Sequence, residues 1–357
     1  MPDPVIDQAV PVREGEEIDQ EMLAACLGKH LGEPLPPLKI QQFPSGFSNL
    51  TYLLTLGDRQ LVLRRPPFGN RVKSAHDMSR EYRVLSRLSA VYSPAPRPLF
   101  FCDDPSVIGD DFYVMERRQG VVLRGPGAPE ILHNDQHMVR ALCESFIDNL
   151  ATLHMLDYQA AGLGDLGRPE GYVMRQVTGW ERRYQDARTD DHPAMDHLGR
   201  WLIDNQPADC GPALIHNDYK YDNLMLDAED LTQIIAVLDW EMATIGDPLM
   251  DLGTTLAYWV EPSDPAQMHA RAFGPTMLPG SMTRRELLLR YSEKTGLTTD
   301  HLHFYCGYGL FKLAVIIQQI YARFVRGKTR DPRFAKLDTT VGQLAERGLQ
   351  VIQDRAV

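Results

Sequence analysis

The sequence predicts an α+β protein in which a small strand-rich part is followed by a larger, mainly helical part. Residues 39–65 show the pattern of strands and turns: residues 38–43 alternate between apolar and polar side chains, and turn residues separate the strand-like segments that follow. From residue 248 onward the apolar residues follow helical spacing. A chain of 357 residues is longer than a single core usually serves, so we expect two structural parts.

The strand-rich part follows an N-terminal helix predicted over residues 18–31. Strands are predicted over 38–43, 51–55, 60–64 and 112–115, with Gly57 and Asp58 as a hairpin turn and a helix over 79–90. We place the segment boundaries at 1–38 for the tail and first helix, 39–117 for the strand-rich lobe and 118–357 for the helical lobe.

In the larger part, a long helix is predicted over 139–156, and short strands over 213–216, 224–226 and 234–240. Residues 162–191 are rich in Gly, Arg and aromatic side chains and give no assignment. The most apolar stretch, 304–325, is interrupted by Lys312, Gln318, Gln319 and Arg323. These interruptions favour a buried helix over a membrane span.

Charge and cysteine content exclude several classes of protein. The formal net charge of −11 argues against a nucleic-acid partner, which would require a basic surface. Residues 1–17 lack the basic and apolar regions of a signal peptide. Five widely spaced cysteines without a CxxC pair indicate reduced thiols. We therefore expect a cytoplasmic protein without a membrane partner.

The strongest chemical signal is a polar loop between the predicted strands. Asp218 is followed five residues later by Asn223, and the apolar strand 234–238 then leads to Asp239. Phosphoryl transfer needs a carboxylate to deprotonate the acceptor hydroxyl and oxygen ligands for magnesium, and these three residues supply both. The alternative is a turn in which Asx side chains only bond their own backbone.

The spacing His-x-Asp-x-x-x-x-Asn, beginning at His216, followed by an apolar strand ending in Asp239, resembles the protein-kinase-like two-lobe fold. The sequences Leu-Asp-Trp-Glu at 238–241 and Gly-Asp-Pro-Leu-Met-Asp at 246–251 are similar to its aminoglycoside and choline phosphotransferase branch. The resemblance implies ATP and Mg²⁺ as cofactors. It makes Asp218 the catalytic base, with Lys220 beside it to neutralise phosphate charge, and Asn223 and Asp239 the metal ligands.

By the same resemblance, residues 44–51 form the hairpin that covers the phosphates of ATP. The nucleotide-contacting residues there are Ser45, Gly46, Ser48 and Asn49. A small loop that contains glycine lets backbone N–H groups approach phosphate oxygens. By itself the pattern is equally that of an ordinary hairpin.

Arg64 stands where this fold usually has a lysine, and Glu81, on the following helix, matches the glutamate that positions that cation. Arginine is bidentate and always charged, so the substitution is not conservative. The departure leaves two alternatives open: a surface ion pair, and a nucleotide-binding module with weak or no catalysis.

The strand 112–115 matches the one that leads into the hinge of the fold. The resemblance implies that Met115 lines the adenine pocket and that backbone groups of Glu116 and Arg118 bond adenine. Any buried strand could carry the same residues.

A finer resemblance suggests the acceptor. The sequences Arg-Arg-Pro-Pro at 64–67, Arg-Glu-Tyr-Arg-Val-Leu at 80–85 and Phe-Tyr-Val-Met-Glu at 112–116 resemble the kinase-like domain fused to certain acyl-CoA dehydrogenases. This implies phosphorylation of a hydroxyacyl-CoA. We expect the small-molecule acceptor to contact a set of largely aromatic and charged residues: Arg175, Trp180, Tyr184, Glu241 and Tyr258.

Other readings of the sequence stay open. The aromatic residues of that set could equally be core, and an aminoglycoside could be the acceptor. A protein kinase is disfavoured, because Gly246-Asp-Pro follows Asp239 and no Ala-Pro-Glu segment follows it. The sequence leaves the oligomeric state and the exact acceptor undetermined.

Overall fold

The computed structural model describes residues 7–32, 34–44, 49–68, 77–125, 127–270, 272–298, 300–329 and 331–355. Ser45, Gly46 and Ser48, predicted to contact phosphate, lie outside the described residues. The chain divides into two compact units. The first comprises Met1–Val122, Ala161–Leu163 and Asn223–Ala243, and the second comprises Leu123–Ala160, Gly164–Asp222 and Thr244–Val357.

The first unit is built on a five-stranded antiparallel sheet. Its strands are β1 (Leu38–Gln42), β2 (Leu50–Leu56), β3 (Arg59–Arg65), β4 (Pro98–Cys102) and β5 (Phe112–Glu116). Their order in the sheet is β1-β2-β3-β5-β4. The predicted turn joins β2 to β3, and Gly57 has φ +59°, the left-handed conformation that glycine adopts without strain. The register pairs Arg64 with Tyr113 across the central strands.

Three helices accompany this sheet: α1 (Gln20–Leu31), α2 (Met78–Leu88) and α3 (Pro105–Ile108). Leu23 and Leu27 of α1 join Tyr52, Leu63 and Phe112 of the strands in one apolar core. Asp77 caps the N-terminus of helix α2, because its carboxylate accepts the Arg80 N–H.

A second, two-stranded sheet in this unit carries Asp239. In this sheet β7 (Leu224–Leu226) pairs antiparallel with β8 (Ile234–Val237), and Asp239 follows β8 by two residues. The strand predicted over 234–240 is therefore too long. Asp239 has φ +66°, which ends the extended backbone, and a 3₁₀ turn, Trp240–Met242, follows.

The second unit is largely helical. Its helices are α4 (Glu130–Asn134), α5 (Gln136–His154), α6 (Tyr172–Ala187), α7 (Pro193–Asp204), α8 (Pro248–Tyr258), α9 (Ala266–His269), α10 (Arg284–Thr295), α11 (Leu302–Val325) and α12 (Leu337–Asp354). A short antiparallel pair, β6 (Ala213–Ile215) and β9 (Thr244–Gly246), stands beside them. The predicted α+β class is confirmed.

Helices α8 and α11 cross at two glycines, because the backbones approach too closely for a side chain. A Cβ on Gly309 would lie 2.2 Å from the carbonyl oxygen of Gly253. This close crossing sets the first third of α11 against the middle of α8, two residues beyond Asp251. The predicted buried helix is confirmed, and no helix in the described parts of the chain has both the length and the apolar content to cross a bilayer.

Helix α6 occupies most of the segment that the sequence left unassigned. Its buried residues, Val173, Val177, Trp180 and Tyr184, do follow helical spacing. Arginines and Gly179 between them obscure that pattern.

Candidate active site

The backbone just before Asp218 is held by a buried carboxylate. Asp251, in the first turn of α8, accepts hydrogen bonds from the N–H groups of His216 (2.7 Å) and Asn217 (2.9 Å). Asn217 has φ +67°, a conformation that costs most residues energy and that Asn tolerates better. Asp251 therefore fixes an unusual turn directly ahead of the predicted base.

A histidine behind Asp251 completes this support. The Nε2 of His154 on α5 lies 3.1 Å from the Asp251 carboxylate, and its Nδ1 lies 2.7 Å from the hydroxyl of Tyr291. Burial alone would raise the pKa of Asp251, but the hydrogen bond and charge of His154 and the donors of the loop hold it below its usual value. Asp251 and His154 therefore support the backbone of the loop.

The Asp218 carboxylate has a defined donor on each oxygen. Lys220 Nζ lies 2.5 Å from Oδ2, and the hydroxyl of Tyr258, at the end of α8, donates to Oδ1 at 2.8 Å. The Lys220 ammonium also lies 5.0 Å from the Tyr258 ring centre and 5.6 Å from that of Phe273. Tyr258, one of the five acceptor residues predicted, thus contacts Asp218 directly.

The environment of Tyr258 keeps its hydroxyl protonated. Burial raises its pKa well above the usual value, and the negative charge of Asp218 raises it further. Because Tyr258 keeps its proton, its hydroxyl can act as the hydrogen-bond donor to Asp218 Oδ1.

In the first unit, Arg64 on β3 joins two carboxylates. Its Nη2 lies 2.8 Å from Asp239 Oδ1, and its Nε lies 3.3 Å from Glu81 Oε2 on α2. Burial would lower the pKa of Arg64, but Glu81 and Asp239 raise it well above its ordinary value. Burial also raises the pKa of Glu81, against the attraction of Arg64. The pair is buried, unlike the surface ion pair that the sequence left open.

Asn223 and Asp239 are the residues expected to hold magnesium. The Leu238 N–H donates to the carbonyl oxygen of Asn223 at 2.8 Å, so the backbone ties the start of β7 to the residue before Asp239. One amide oxygen and one carboxylate are hard oxygen donors, and Mg²⁺ commonly takes one or two such protein ligands together with substrate phosphates. The side-chain oxygens of Asn223 and Asp239 are therefore of the chemical kind that Mg²⁺ binds.

Asn49, predicted to contact the phosphates, bonds Glu241. The Asn49 side-chain amide donates to Glu241 Oε2 at 2.7 Å. Glu241, predicted to contact the acceptor, thus lies beside a residue assigned to the nucleotide, within the same unit.

The hinge residues end strand β5. Met115 is buried, and the Glu116 N–H donates to the carbonyl oxygen of Arg97 at 3.0 Å. The Glu116 carboxylate accepts from Arg118 Nε at 2.8 Å. With its N–H engaged, Glu116 could offer adenine only its carbonyl oxygen.

The remaining acceptor residues on α6 differ in exposure. Arg175 is exposed and donates to the carbonyl oxygens of Arg168 and Glu170. Trp180 is buried, with the Arg183 guanidinium 4.4 Å from its ring centre. Tyr184 is buried and, with Phe311, lines a cavity of about 180 Å³ between α6, α7 and α11.

Sequence reasoning missed two residues, Tyr172 and Lys312, that bond Asn217 in the loop before Asp218. Asn217 is also bonded to the hydroxyl of Tyr172 (3.2 Å), and Lys312 Nζ donates to its carbonyl oxygen (2.8 Å). The available signal was the single lysine within the apolar stretch of α11, which we used only to exclude a membrane span.

The sequence matches a known protein family over more than half of its length. Residues 39–287 match the model of the phosphotransferase enzyme family. The chain belongs to that family. The phosphotransferase is 35% identical to acyl-CoA dehydrogenase family member 11 of Gallus gallus over 353 residues, 95% of this chain and 44% of the relative. The chain therefore spans less than half of that relative's length. The predicted resemblance to the kinase-like domain of certain acyl-CoA dehydrogenases is confirmed.

Solved structures agree on the fold. A candidate aminoglycoside phosphotransferase from Ralstonia eutropha superposes with a TM-score of 0.81 at 31% identity, covering 95% of this phosphotransferase and 99% of that chain. The aminoglycoside phosphotransferase APH(4)-Ia, in a ternary complex with AMP-PNP and hygromycin B, gives 0.59 at 15% identity, covering 93% and 97%. The protein-kinase-like fold predicted from the sequence is confirmed.

Proposed function

We propose that this phosphotransferase is an ATP-dependent kinase for a small-molecule hydroxyl. In the proposed step, an Asp218 oxygen accepts the proton of the acceptor hydroxyl as its oxygen bonds to the γ-phosphorus of ATP. The bond from that phosphorus to the bridging oxygen of ADP breaks, so the products are a phosphate monoester, ADP and a proton on Asp218.

The observation that carries this proposal is the preorganised carboxylate of Asp218. Asp251 fixes the backbone of the two residues before Asp218, and the Asp218 oxygens are oriented by Tyr258 and Lys220 at 2.8 and 2.5 Å. A loop that served only as a turn would not require a buried carboxylate and a buried histidine beneath it. Such support is what positions a base for proton transfer.

For the nucleotide, we assign residues of the first unit. Arg64, steadied by Glu81, is proposed to bind phosphate oxygens through its guanidinium fork. Asn49, with the loop before it, is proposed to cover the phosphates, and Met115 to line the adenine pocket. Asn223 and Asp239 are proposed to hold Mg²⁺, which, when bound, neutralises phosphate charge.

For the acceptor, we propose a hydroxyacyl-CoA. The support is the similarity to acyl-CoA dehydrogenase family member 11 over nearly the whole of this chain. Tyr258 is proposed to contact the acceptor, since its hydroxyl lies on Asp218. An aminoglycoside is the second candidate, favoured by the 31% identity to the Ralstonia eutropha protein and by the net charge of −11.

The test is ADP formation from Mg-ATP in the presence of 4-hydroxyacyl-CoA esters, the free hydroxy acids, choline and aminoglycosides, each with wild type and Asp218→Asn. We expect ADP to form at the highest kcat/KM with a hydroxyacyl-CoA and to be lost in Asp218→Asn. Phosphorylation of an aminoglycoside alone would support the second candidate. No acceptor-dependent ADP with any compound would favour a binding module.

A further inference from the structure

Lys312 is a buried cation that the proposed reaction does not use. It lies in the middle of α11 with 1% of its surface exposed. Removing an ammonium group from water is costly unless it is compensated, so a lysine in this position needs a structural or functional reason. Its Nζ donates to the carbonyl oxygen of Asn217, 2.8 Å away, and lies 5.8 Å from the Trp180 ring centre.

The bond from Lys312 reaches the peptide group that carries Asp218. The Asn217 carbonyl and the Asp218 N–H belong to one rigid peptide plane. Lys312 binds the oxygen of that plane, and the Asp218 N–H donates to His216 Nδ1 at 3.3 Å. The plane is thereby fixed on both edges, which fixes the direction in which the Asp218 side chain leaves the backbone.

The preceding peptide is fixed as well, by a carboxylate. Asp251 accepts the N–H of Asn217, so a negative group and a positive group bind opposite ends of the same residue. The charged groups that influence Lys312 are Asp251 on α8, Asp218 and Lys220 on the loop, and Arg183 on α6. Asp251 and Asp218 stabilise the charged lysine, whereas Lys220 and Arg183 oppose it.

We propose that Lys312 is the positioning residue that holds the Asn217–Asp218 peptide, and with it the base, in its productive orientation. The inference rests on the proposed function insofar as Asp218 is the base. Lys312 acts through the backbone and is not itself a catalytic residue. Burial lowers the pKa of Lys312 to about 8, so the residue is charged at neutral pH and loses its charge under mildly alkaline conditions.

The test compares three substitutions with a matched control. Lys312→Met removes both charge and donor at similar length, Lys312→Gln keeps a donor without charge, and Lys312→Arg keeps the charge at all accessible pH values. The control is Gln318→Met. Gln318 is equally buried on α11, with 0% exposed, but its amide donates to Ala187 and Thr189 and not to the loop.

We expect Lys312→Met to lower kcat by about 10²-fold, the typical cost of a small misplacement of a reacting group, with the KM for ATP unchanged. Wild-type kcat should fall above pH 8, and Lys312→Arg should retain its activity there. Hydrogen exchange followed by mass spectrometry should show faster exchange at residues 216–218 in Lys312→Met, and no change there in Gln318→Met.

The proposal is overturned if Lys312→Met and Gln318→Met have the same kcat, or if residues 216–218 exchange as slowly as in wild type. Should Lys312→Met fail to fold, Lys312→Leu, which also removes both the charge and the donor, replaces it with the same expected exchange. The exchange measurement needs no acceptor. If no acceptor is ever phosphorylated, the proposed function fails, and exchange at 216–218 still decides the role of Lys312.

Discussion

Replacing Arg64 by alanine tests the buried charge cluster of the first unit in a way that does not depend on the acceptor. The substitution removes the cation of Arg64, which bridges Glu81 and Asp239. The side chain of Glu81 is 1% exposed and that of Arg64 is 11% exposed. Without Arg64, Glu81 must either remain charged in a poorly solvated position or take up a proton.

The size of the effect follows from that burial. Removing one partner of a buried ion pair costs about 3–5 kcal/mol of unfolding free energy, because the other charge is left uncompensated. The pKa of Glu81 is already raised in the wild type by burial, and loss of Arg64 raises it further. The folded chain then binds a proton that the unfolded chain does not, so stability decreases as pH rises.

The assay is urea unfolding followed by circular dichroism at pH 5 and pH 8. We expect Arg64→Ala to be destabilised most at pH 8, and its deficit relative to wild type to shrink toward pH 5 by up to about 1.4 kcal/mol per pH unit. The double substitution Arg64→Ala with Glu81→Ala should lower the unfolding free energy by less than the sum of the losses caused by the two single substitutions. As a control, Arg13→Ala breaks an exposed pair with Glu16 and should cost about 0–1 kcal/mol.

An equal deficit of Arg64→Ala at pH 5 and pH 8, together with additive effects of Arg64→Ala and Glu81→Ala, would refute this reasoning. The protonation of Glu81 would then not depend on Arg64, and the cluster would be stabilised by packing alone.

Three further predictions concern the proposed active site. Asp218→Ala should lower phosphoryl transfer by about 10²–10⁴-fold and leave ATP affinity nearly unchanged, as measured by calorimetry; wild-type turnover would remove Asp218 from the mechanism. Asp239→Ala should abolish the increase in ATP affinity that magnesium gives to the wild type, whereas equal affinities with and without magnesium in the wild type would contradict the ligand assignment. Asp251→Asn should cost about 3–5 kcal/mol of unfolding free energy, because an amide has one oxygen for the donors of His216, Asn217 and His154; a melting temperature equal to wild type would contradict the role given to this carboxylate.

Local sequence determined much of this protein. Two short strand-like segments joined by a Gly57-Asp58 turn specify the β2–β3 hairpin, since strand and turn preferences act between neighbours in the chain. The spacing of Asp218, Asn223 and Asp239 gave the site hypothesis, because all three belong to one short stretch that folds around two small strands. Helix α6 was missed because its apolar residues are spaced correctly but lie among glycines and arginines.

The surroundings of Asp218 depend on contacts between segments that are distant in the sequence. Asp251 and Lys312 hold opposite ends of Asn217, yet they lie 34 and 95 residues further along the chain. The sequence showed Lys312 only as an interruption in an apolar helix, and periodicity cannot tell a solvated lysine from one that is buried against a carbonyl oxygen. That distinction depends on the close crossing of α8 and α11 at Gly253 and Gly309, which is a property of packing between distant segments.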